Sequence, residues 1–353
     1  MSSKTVERNI ATFRQRQFAK IDDLLIQSIN YLSSKLDGFL EIKKFEKNED
    51  RNRVYNGIYQ SELITYRVTT FNCIDGEDQV FEIVIPKLID GNYFIIYGIH
   101  YVPEVSLVDF PITVIPGRSL RVYGLFNSLI ILFDGRVLVG GESVNLLSFL
   151  KFVVRDTRLI DEFMKKFGFR QDELSEENFV NFLEQKFGKK DETLVQDLYG
   201  LLFDPYTAAL YKACYDRDFF SLEELLSFAL SLALEDSVYL KHKRIAWVEM
   251  LLRDFFHRIG TTAGRLMKGI YTAFRFKKET ILKNLKLIHY DSSNLFPASI
   301  ISRVSRPDKT LAAELDEIHR GVICPVTVSS QDVGKVLTVS PEIVVDDFGV
   351  FRH

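Results

Sequence analysis

Six cations, Lys243, Arg244, Arg253, Arg258, Arg265 and Lys268, fall within one patterned stretch, LKHKRIAWVEMLLRDFFHRIGTTAGRLMKGIY, from Leu240 to Tyr271. Lysine and arginine meet phosphate oxygens through charge and donated hydrogen bonds. Cations at helical spacing therefore suit a polyanion gripped without regard to its base sequence. From Lys241 to Lys286, twelve lysines and arginines stand against three acids, Glu249, Asp254 and Glu279. That is a net of +9 in a chain whose formal charge is −3. One helix face cannot hold all six cations, so several must face the core side or solvent. The plainer reading of each is a solvated surface cation. Two further arginines, Arg303 and Arg306, lie in a loop bounded by Pro297 and Pro307, where a planar guanidinium suits bidentate phosphate contact better than an ammonium.

No second constellation in the sequence assembles a reaction centre. Neither common glycine-rich phosphate loop is present, and GxSxG, HExxH and DxDxD patterns are absent. The histidines, His100, His242, His257, His289, His319 and His353, show no ligand spacing. Cys73, Cys214 and Cys324 are far apart, without a CxxC. A zinc site from this chain alone is not expected, and the cysteine usage fits a reducing compartment. The acid pairs Asp346-Asp347 and Glu176-Glu177 read as turn and cap residues rather than metal ligands. No cofactor is expected on this chain, and nothing in it supports a self-contained enzyme.

The elements that would position these residues can be read from periodicity and turn chemistry. Val6–Leu36 reads as one long helix stopped by Asp37-Gly38. Lys43–Arg53 reads as a charged connector. Glu62–Ile85 alternates like two strands about Asp75-Gly76, and Tyr93–Val139 reads as a meander of short antiparallel strands. From Ser143 the period turns helical: Val144–Phe167, Glu176–Phe187, Glu192–Leu202 and Ser221–Glu235, the last with Ser221 as cap and Glu224 three residues on. In the basic stretch, Val248, Leu251 or Leu252, Phe255 and Ile259 keep helical spacing, and Phe255 and Phe256 read as core. A stem, Lys277–Ile288, follows. In the tail, Ile343–Val345 and Val350-Phe351 read as strands about a turn at Asp346–Gly349, as though the sheet partners came from another chain. The fold class expected is α+β: antiparallel β-meander regions packed with helices, in several domains.

The chain has 353 residues, enough for two or three domains. Its sequence pI near 6.1 excludes a protein that coats nucleic acid indiscriminately and allows one basic groove. No apolar window is long enough for a membrane span, and the first residues hold no apolar signal core.

The tail carries the most specific pattern. HRGVICPVTVSSQDVGKVLTVSPEIVVDDFGVF, from His319 to Phe351, resembles a stretch in the second-largest subunit of multisubunit RNA polymerases. That stretch runs approximately H-x-G-hydrophobic-hydrophobic-C-P-hydrophobic-E-T-P-E-G, and His319, Gly321, Cys324, Pro325 and Gly334 match it. Asn294–Pro307 is similar to the segment just before it, with Arg303 at an arginine position. Leu240, Lys243, Arg244, Ile245 and Leu251-Leu252 follow a G-N-(K/R)-R-hydrophobic…L-L pattern. Pro86, Phe94, Ile95, Ile96, Gly98 and Val102 fit an earlier segment within Ile85–Leu107. The four segments keep the family's order. The chain departs from it at Thr327–Gln331, TVSSQ, where the family has acids, and its spacing is shorter, chiefly between Phe169 and Glu235.

The resemblance implies the N-terminal fragment of a split β-like subunit of the giant-bacteriophage type. Its parts would be a protrusion-like region (1–108), a reduced lobe-like domain (109–238), a second protrusion-like part with the basic helices (239–275) and a fork-like region (276–353). The fragment would form one pincer of the DNA/RNA cleft and be inactive alone. Catalytic Mg²⁺ would sit on aspartates of another subunit. The partners implied are a C-terminal β-like fragment, a β′-like subunit or its fragments, DNA template and RNA transcript, with no membrane. The place implied is the cytoplasm of an infected bacterial host, or the virion. Arg303 and Arg306 would lie near the active centre, with the six cations of the basic stretch along the wall. Two other classes fit the same residues: a stand-alone DNA-binding accessory factor, and a structural assembly protein whose basic helix binds an acidic partner.

Overall fold

The computed structural model describes residues 4–35, 40–55, 59–73, 76–89, 93–96, 99–103, 105–115, 117–139, 142–169, 176–187, 192–235, 243–253, 255–257, 279–280, 287–289, 303–305, 323–324, 336–339 and 344–352. It is an α+β protein with several sheets, mostly antiparallel.

Two helices open the chain, α1 (Lys4–Ala19) and α2 (Ile21–Lys35). The sequence predicts a single helix here. The break falls at Lys20, where a new N-terminus begins with Asp22 and Asp23 in its first turn, the charge a helix start favours. Asp22 is held on the sheet by the Tyr66 hydroxyl at 2.5 Å and by Lys47 at 2.7 Å.

Three long strands follow, β1 (Leu40–Tyr55), β2 (Tyr59–Asn72) and β3 (Glu77–Pro86), in antiparallel order. The expected connector, Lys43–Arg53, is therefore part of β1, a correction. Its charges disguise an edge strand. Ile42 and Phe45 pack on the core, while Lys43 pairs with Asp78, Lys47 with Asp22, and Glu49 with Lys87. Charge on an exposed edge discourages strand addition, so it is compatible with β structure there.

Short strands come next: β4 (Phe94–Ile96), β5 (Ile99–Pro103) and β6 (Val105–Asp109). After them β7 (Ile112–Ile115), β8 (Ser119–Tyr123), β9 (Ser128–Leu132), β10 (Arg136–Val139) and β11 (Glu142–Asn145) form a five-stranded meander, each paired with the next; the first four strands match expectation, whereas β11 covers Val144, where a helix is expected to begin. Six helices then pack on it: α3 (Leu146–Val153), α4 (Thr157–Lys166), α5 (Glu176–Phe187), α6 (Glu192–Leu202), α7 (Pro205–Tyr215) and α8 (Leu222–Leu234). The helix expected over Val144–Phe167 is two, split where Asp156 caps α4 by accepting from the Arg158 and Leu159 amides. The spans of α5 and α6 match expectation, and Ser221 caps α8 as expected, accepting from the Glu224 amide at 3.2 Å. The Glu224 carboxylate reaches back to the Phe220 amide at 2.8 Å. Helix α7 was not anticipated. Its start is Asp204-Pro205, a cap followed by proline in the first turn.

The chain leaves for this helical unit at the end of β6 and returns in β12 (Lys243–Ala246). That strand pairs antiparallel with β6, Lys243 opposite Asp109. The unit from Ile112 to Ala233 has its own core, and a second core joins α1, α2, β2, β3 and residues 245–256. Leu125, Phe126 and Leu201 of the inserted unit belong to this second core, and the Tyr31 hydroxyl of α2 donates to the Gly200 carbonyl at 2.8 Å. The insert is therefore docked along its side as well as tied at its neck.

After β12 the chain is helical at 248–253 and 255–257. The remaining strands are β13 (Glu279–Thr280), β14 (Leu287–His289), β15 (Arg303–Ser305), β16 (Ile323–Cys324), β17 (Val336–Val339), β18 (Val344–Val345) and β19 (Phe351–Arg352). Among them, β15, β16 and β17 complete a five-stranded sheet of order β12-β6-β15-β17-β16.

Candidate functional site

The basic stretch opens as a strand, which corrects the helical expectation for Lys243–Ala246. All four residues of β12 are buried. Strand alternation does not expose Lys243 or Arg244, because β6 covers one edge and the C-terminal hairpin reaches the other: Arg244 bridges to Val350, and the Ile245 amide donates to the Gly349 carbonyl at 2.9 Å.

Both cations are spent on carboxylates inside the protein. Lys243 pairs with Asp109 across the β6–β12 neck, its side chain only 6% exposed. Arg244, also 6% exposed, pairs with Glu249 five residues on and donates through Nη1 to the Phe348 carbonyl at 3.1 Å. The second oxygen of Glu249 accepts from the Tyr206 hydroxyl of α7 at 2.6 Å, and the Tyr206 ring packs on Phe348 with centroids 5.6 Å apart. Burial alone would depress the Arg244 guanidinium, but Glu249, Tyr206 and Cys214 outweigh it and hold the group charged. Burial also pushes the Tyr206 phenol well up, with Glu249 adding to it, so the hydroxyl stays a donor. In this structure neither Lys243 nor Arg244 is presented to a phosphate, and both leave the expected cationic wall. The physical reason is a chain reversal that lays β12 against β6, which periodicity in one segment cannot reveal.

The other predicted residues divide cleanly. Arg253 is exposed on the helical turns, with Nη1 4.0 Å from the Met250 sulfur. Arg258, Arg265, Lys268 and Arg306 lie outside the described residues. Arg303 begins β15, so its backbone is strand rather than loop, a further correction. It stands opposite Thr338 of β17, and Thr338 stands opposite Cys324 of β16. Phe255 and Phe256 are core, as expected.

The hairpin β18–β19 finds partners in its own chain, contrary to the expectation that they come from elsewhere. Asp346 accepts from the Phe348 and Val350 amides at 2.9 and 3.0 Å, closing the turn, and from Arg352 at 2.6 Å. Arg352 also donates to the Ala213 carbonyl of α7 at 3.0 Å. On the other side Asp347 meets Lys20 at 2.5 Å and Arg16 at 3.4 Å, while Arg16 donates to the Val345 carbonyl at 2.9 Å. The Lys20 ammonium, helped by Arg16, holds the Asp347 carboxyl below the usual range. Sequence reasoning missed Tyr206, Glu249, Asp346 and Phe348 as one assembly. The available signal was Glu249, a lone acid close behind Lys243 and Arg244.

Among the described residues, no three His, Cys, Asp or Glu side chains cluster as metal donors would. No helix of the described residues is long and apolar enough to cross a membrane. No protein-family model matches the chain, and no curated protein matches it.

Proposed function

We propose that this chain is a non-catalytic β-like subunit fragment of a multisubunit DNA-directed RNA polymerase, forming one pincer of the nucleic-acid cleft. One observation carries the reading. The segments that resemble the second-largest subunit are scattered from Ile85 to Phe351, yet strands from within or beside all four share one sheet: β6, β12, β15, and the pair β16 and β17. The intervening residues, 112–234, form a separate unit that departs and returns at a single neck. A shared order of motifs gains weight when the motifs build one body and most of the unmatched residues form an insert with a core of its own.

The cations left for the cleft are Arg253, Arg258, Arg265, Lys268, Arg303 and Arg306. They would meet template, hybrid or transcript phosphates without reading sequence. Catalytic Mg²⁺ and the remaining cleft would come from a C-terminal β-like fragment and a β′-like subunit, in an infected bacterial cell or a virion. Mass spectrometry of the native complex tests this. The expected result is co-purifying chains, one continuing the β-like sequence and another bearing a DxDxD-type motif. A solitary monomer in its native setting, or nucleotide incorporation by the isolated chain, refutes it. In the assembled enzyme Arg303→Ala should slow elongation, and an unchanged rate removes Arg303 from the site.

A further inference from the structure

The five-stranded meander of the inserted unit keeps an apolar patch on its outer face. Its inner face packs under the helices: Leu120, Val122, Leu129, Ile131, Val137 and Val144 belong to the core of the unit. Residues directly opposite in an antiparallel pair share a face, so the register fixes what lies outside. One outer row sets Arg121, Ile130 and Leu138 side by side on β8, β9 and β10, and the next sets Ser119, Leu132 and Arg136 side by side. Ile130, Leu132 and Leu138 thus adjoin one another. All three are half-buried and belong to neither core. Tyr123, two residues past Arg121 on the same face of β8, is 38% exposed. A sheet with one face on its core ordinarily turns polar residues outward, and an apolar patch there marks an interaction surface.

Charge and size say what fits this patch. From β7 to β11 the acids are Asp134 and Glu142. Asp134, in the β9–β10 turn, accepts from Arg136 Nε at 3.0 Å. Glu142 stands opposite Val139, a core residue, and so belongs to the inner face. Arg121 donates to hydroxyls, Ser119 at 3.2 Å and Tyr123 at 3.0 Å, which leave its charge standing on the outer face. Arg118, in the β7–β8 turn, is exposed. The outer face is therefore apolar with a cationic border. Five short strands about 4.8 Å apart, at about 3.4 Å per residue, present roughly 300 Å². Two copies of this chain would need about 800 Å² from each partner for a stable pair, so this face alone does not make a dimer. A single helix, about 10 Å across, lies within it, and about 16 helical residues match its wider dimension.

We propose that the outer face of the β7–β11 meander docks an amphipathic helix of a second protein, its apolar stripe against Ile130, Leu132 and Leu138 and its acidic residues beside Arg118 and Arg121. Such a helix anchors through residues at i, i+3, i+4 and i+7, and acids along its flanks answer the cationic border. The inserted unit is then a docking platform. The face lies outside the segments on which the polymerase reading rests, so the proposal does not depend on that reading.

The test uses the full chain and a fluorescein-labelled peptide of about 16 residues, with leucine at helical spacing and glutamate and alanine elsewhere, followed by anisotropy. A second peptide carries lysine in place of glutamate. The glutamate peptide should bind, and the lysine peptide should bind about tenfold more weakly. Ile130→Thr/Leu138→Thr replaces the patch with a residue that suits strands and should weaken the glutamate peptide about tenfold or more, with a melting temperature within about 4 °C of wild type. Arg118→Gln/Arg121→Gln should bring the two peptides to similar affinity. The proposal is overturned if the glutamate peptide does not bind, if the lysine peptide binds as well or better, or if the threonine variant keeps full affinity. A larger fall in melting temperature for the threonine variant also overturns it, because the face would then be covered within the chain. Sedimentation of the full chain supplies the last arm: a dimer that the threonine variant loses gives the face to a second copy and overturns the helix assignment. Neither nucleic acid nor another polymerase chain enters these measurements, so failure here leaves the polymerase reading to its own test.

Discussion

The buried Arg244–Glu249 pair offers a direct measurement of what the basic stretch does. Replacing Glu249 by Leu leaves a guanidinium that is 5% exposed at residue level beside the Phe348 carbonyl alone, and strips the Tyr206 hydroxyl of its acceptor. Breaking one side of a buried pair in this way costs about 3–5 kcal/mol. Arg244→Met is the mirror experiment and leaves Glu249 with Tyr206 alone, for a loss of the same order. The double variant Arg244→Met/Glu249→Leu removes both charges and should recover most of the loss, because two apolar side chains fill the space without desolvation. A double-mutant cycle then gives the coupling.

The assay is built into the molecule. Trp247, the sole tryptophan, is buried three residues from Arg244 and stacks on Phe18 of α1 at 6.1 Å. Its fluorescence in urea reports the body that holds β12. With a slope of about 3 kcal/mol/M, a loss of 3–5 kcal/mol moves the midpoint down by about 1–1.7 M. If Arg244 instead served phosphate in the working molecule, Arg244→Met would lower the salt slope of nucleic-acid binding by about 1 and barely move the midpoint. That pattern, or single variants within about 0.3 M of wild type, refutes the interior assignment.

Three other outcomes are expected. Gly349 has φ 76°, and a Cβ there would sit 1.7 Å from the Ile245 carbonyl oxygen. Gly349→Ala should cost more than the roughly 1–2 kcal/mol of a left-handed backbone alone. Gly117→Ala, at φ 65° with nothing within 4 Å, should cost only that, and equal midpoints would show the hairpin is not seated on β12. Asp347 is depressed by Lys20 and Arg16, so its contribution is present above its unfolded pKa of about 3.9 and is lost as pH falls through the lowered value. Protection of the β18–β19 amides in hydrogen exchange should fall with it, and Asp347→Asn should abolish that pH dependence. Burial pushes the Cys214 thiol up to about 12. At pH 8 the folded chain should react with iodoacetamide at Cys214 about a thousandfold more slowly than the unfolded one, as read by mass spectrometry.

Local signals were readable in the sequence wherever one element determined its own form. The meander from Ile112 to Val139 alternates because one face is core, so Leu129 and Ile131 are buried while Ser128 and Ile130 are not. The caps Ser221 and Asp204 are chemistry within four residues of their helices, although the second went unrecognised because α7 lacks a broad apolar stripe. What stayed hidden required knowledge of a distant partner. The charges of β1 are compatible with a strand only because Asp78, Asp22 and Lys87 stand across from them. Lys243 looks like a surface residue until Asp109, 134 residues earlier, lies beside it.

The neck explains why two of the cations expected on a polyanion-facing wall are inside the protein instead. A unit inserted between β6 and β12 must leave and return at adjacent points, and the Lys243–Asp109 pair lies across those points. The hairpin then fixes β12 from its other edge through Arg244, whose partner Glu249 is one of the three acids in the stretch. Setting aside Lys243, Arg244 and Glu249 leaves ten cations against Asp254 and Glu279. The net positive charge is thus almost undiminished, but it shifts toward the C-terminal side, from Arg253 onward. Two cations at the start of the run join the sheet, the insert and the hairpin into one body. Any polyanion must then be met by the cations that follow, so substitutions at Arg258, Arg265 and Lys268 should act on binding while those at Lys243 and Arg244 act on stability.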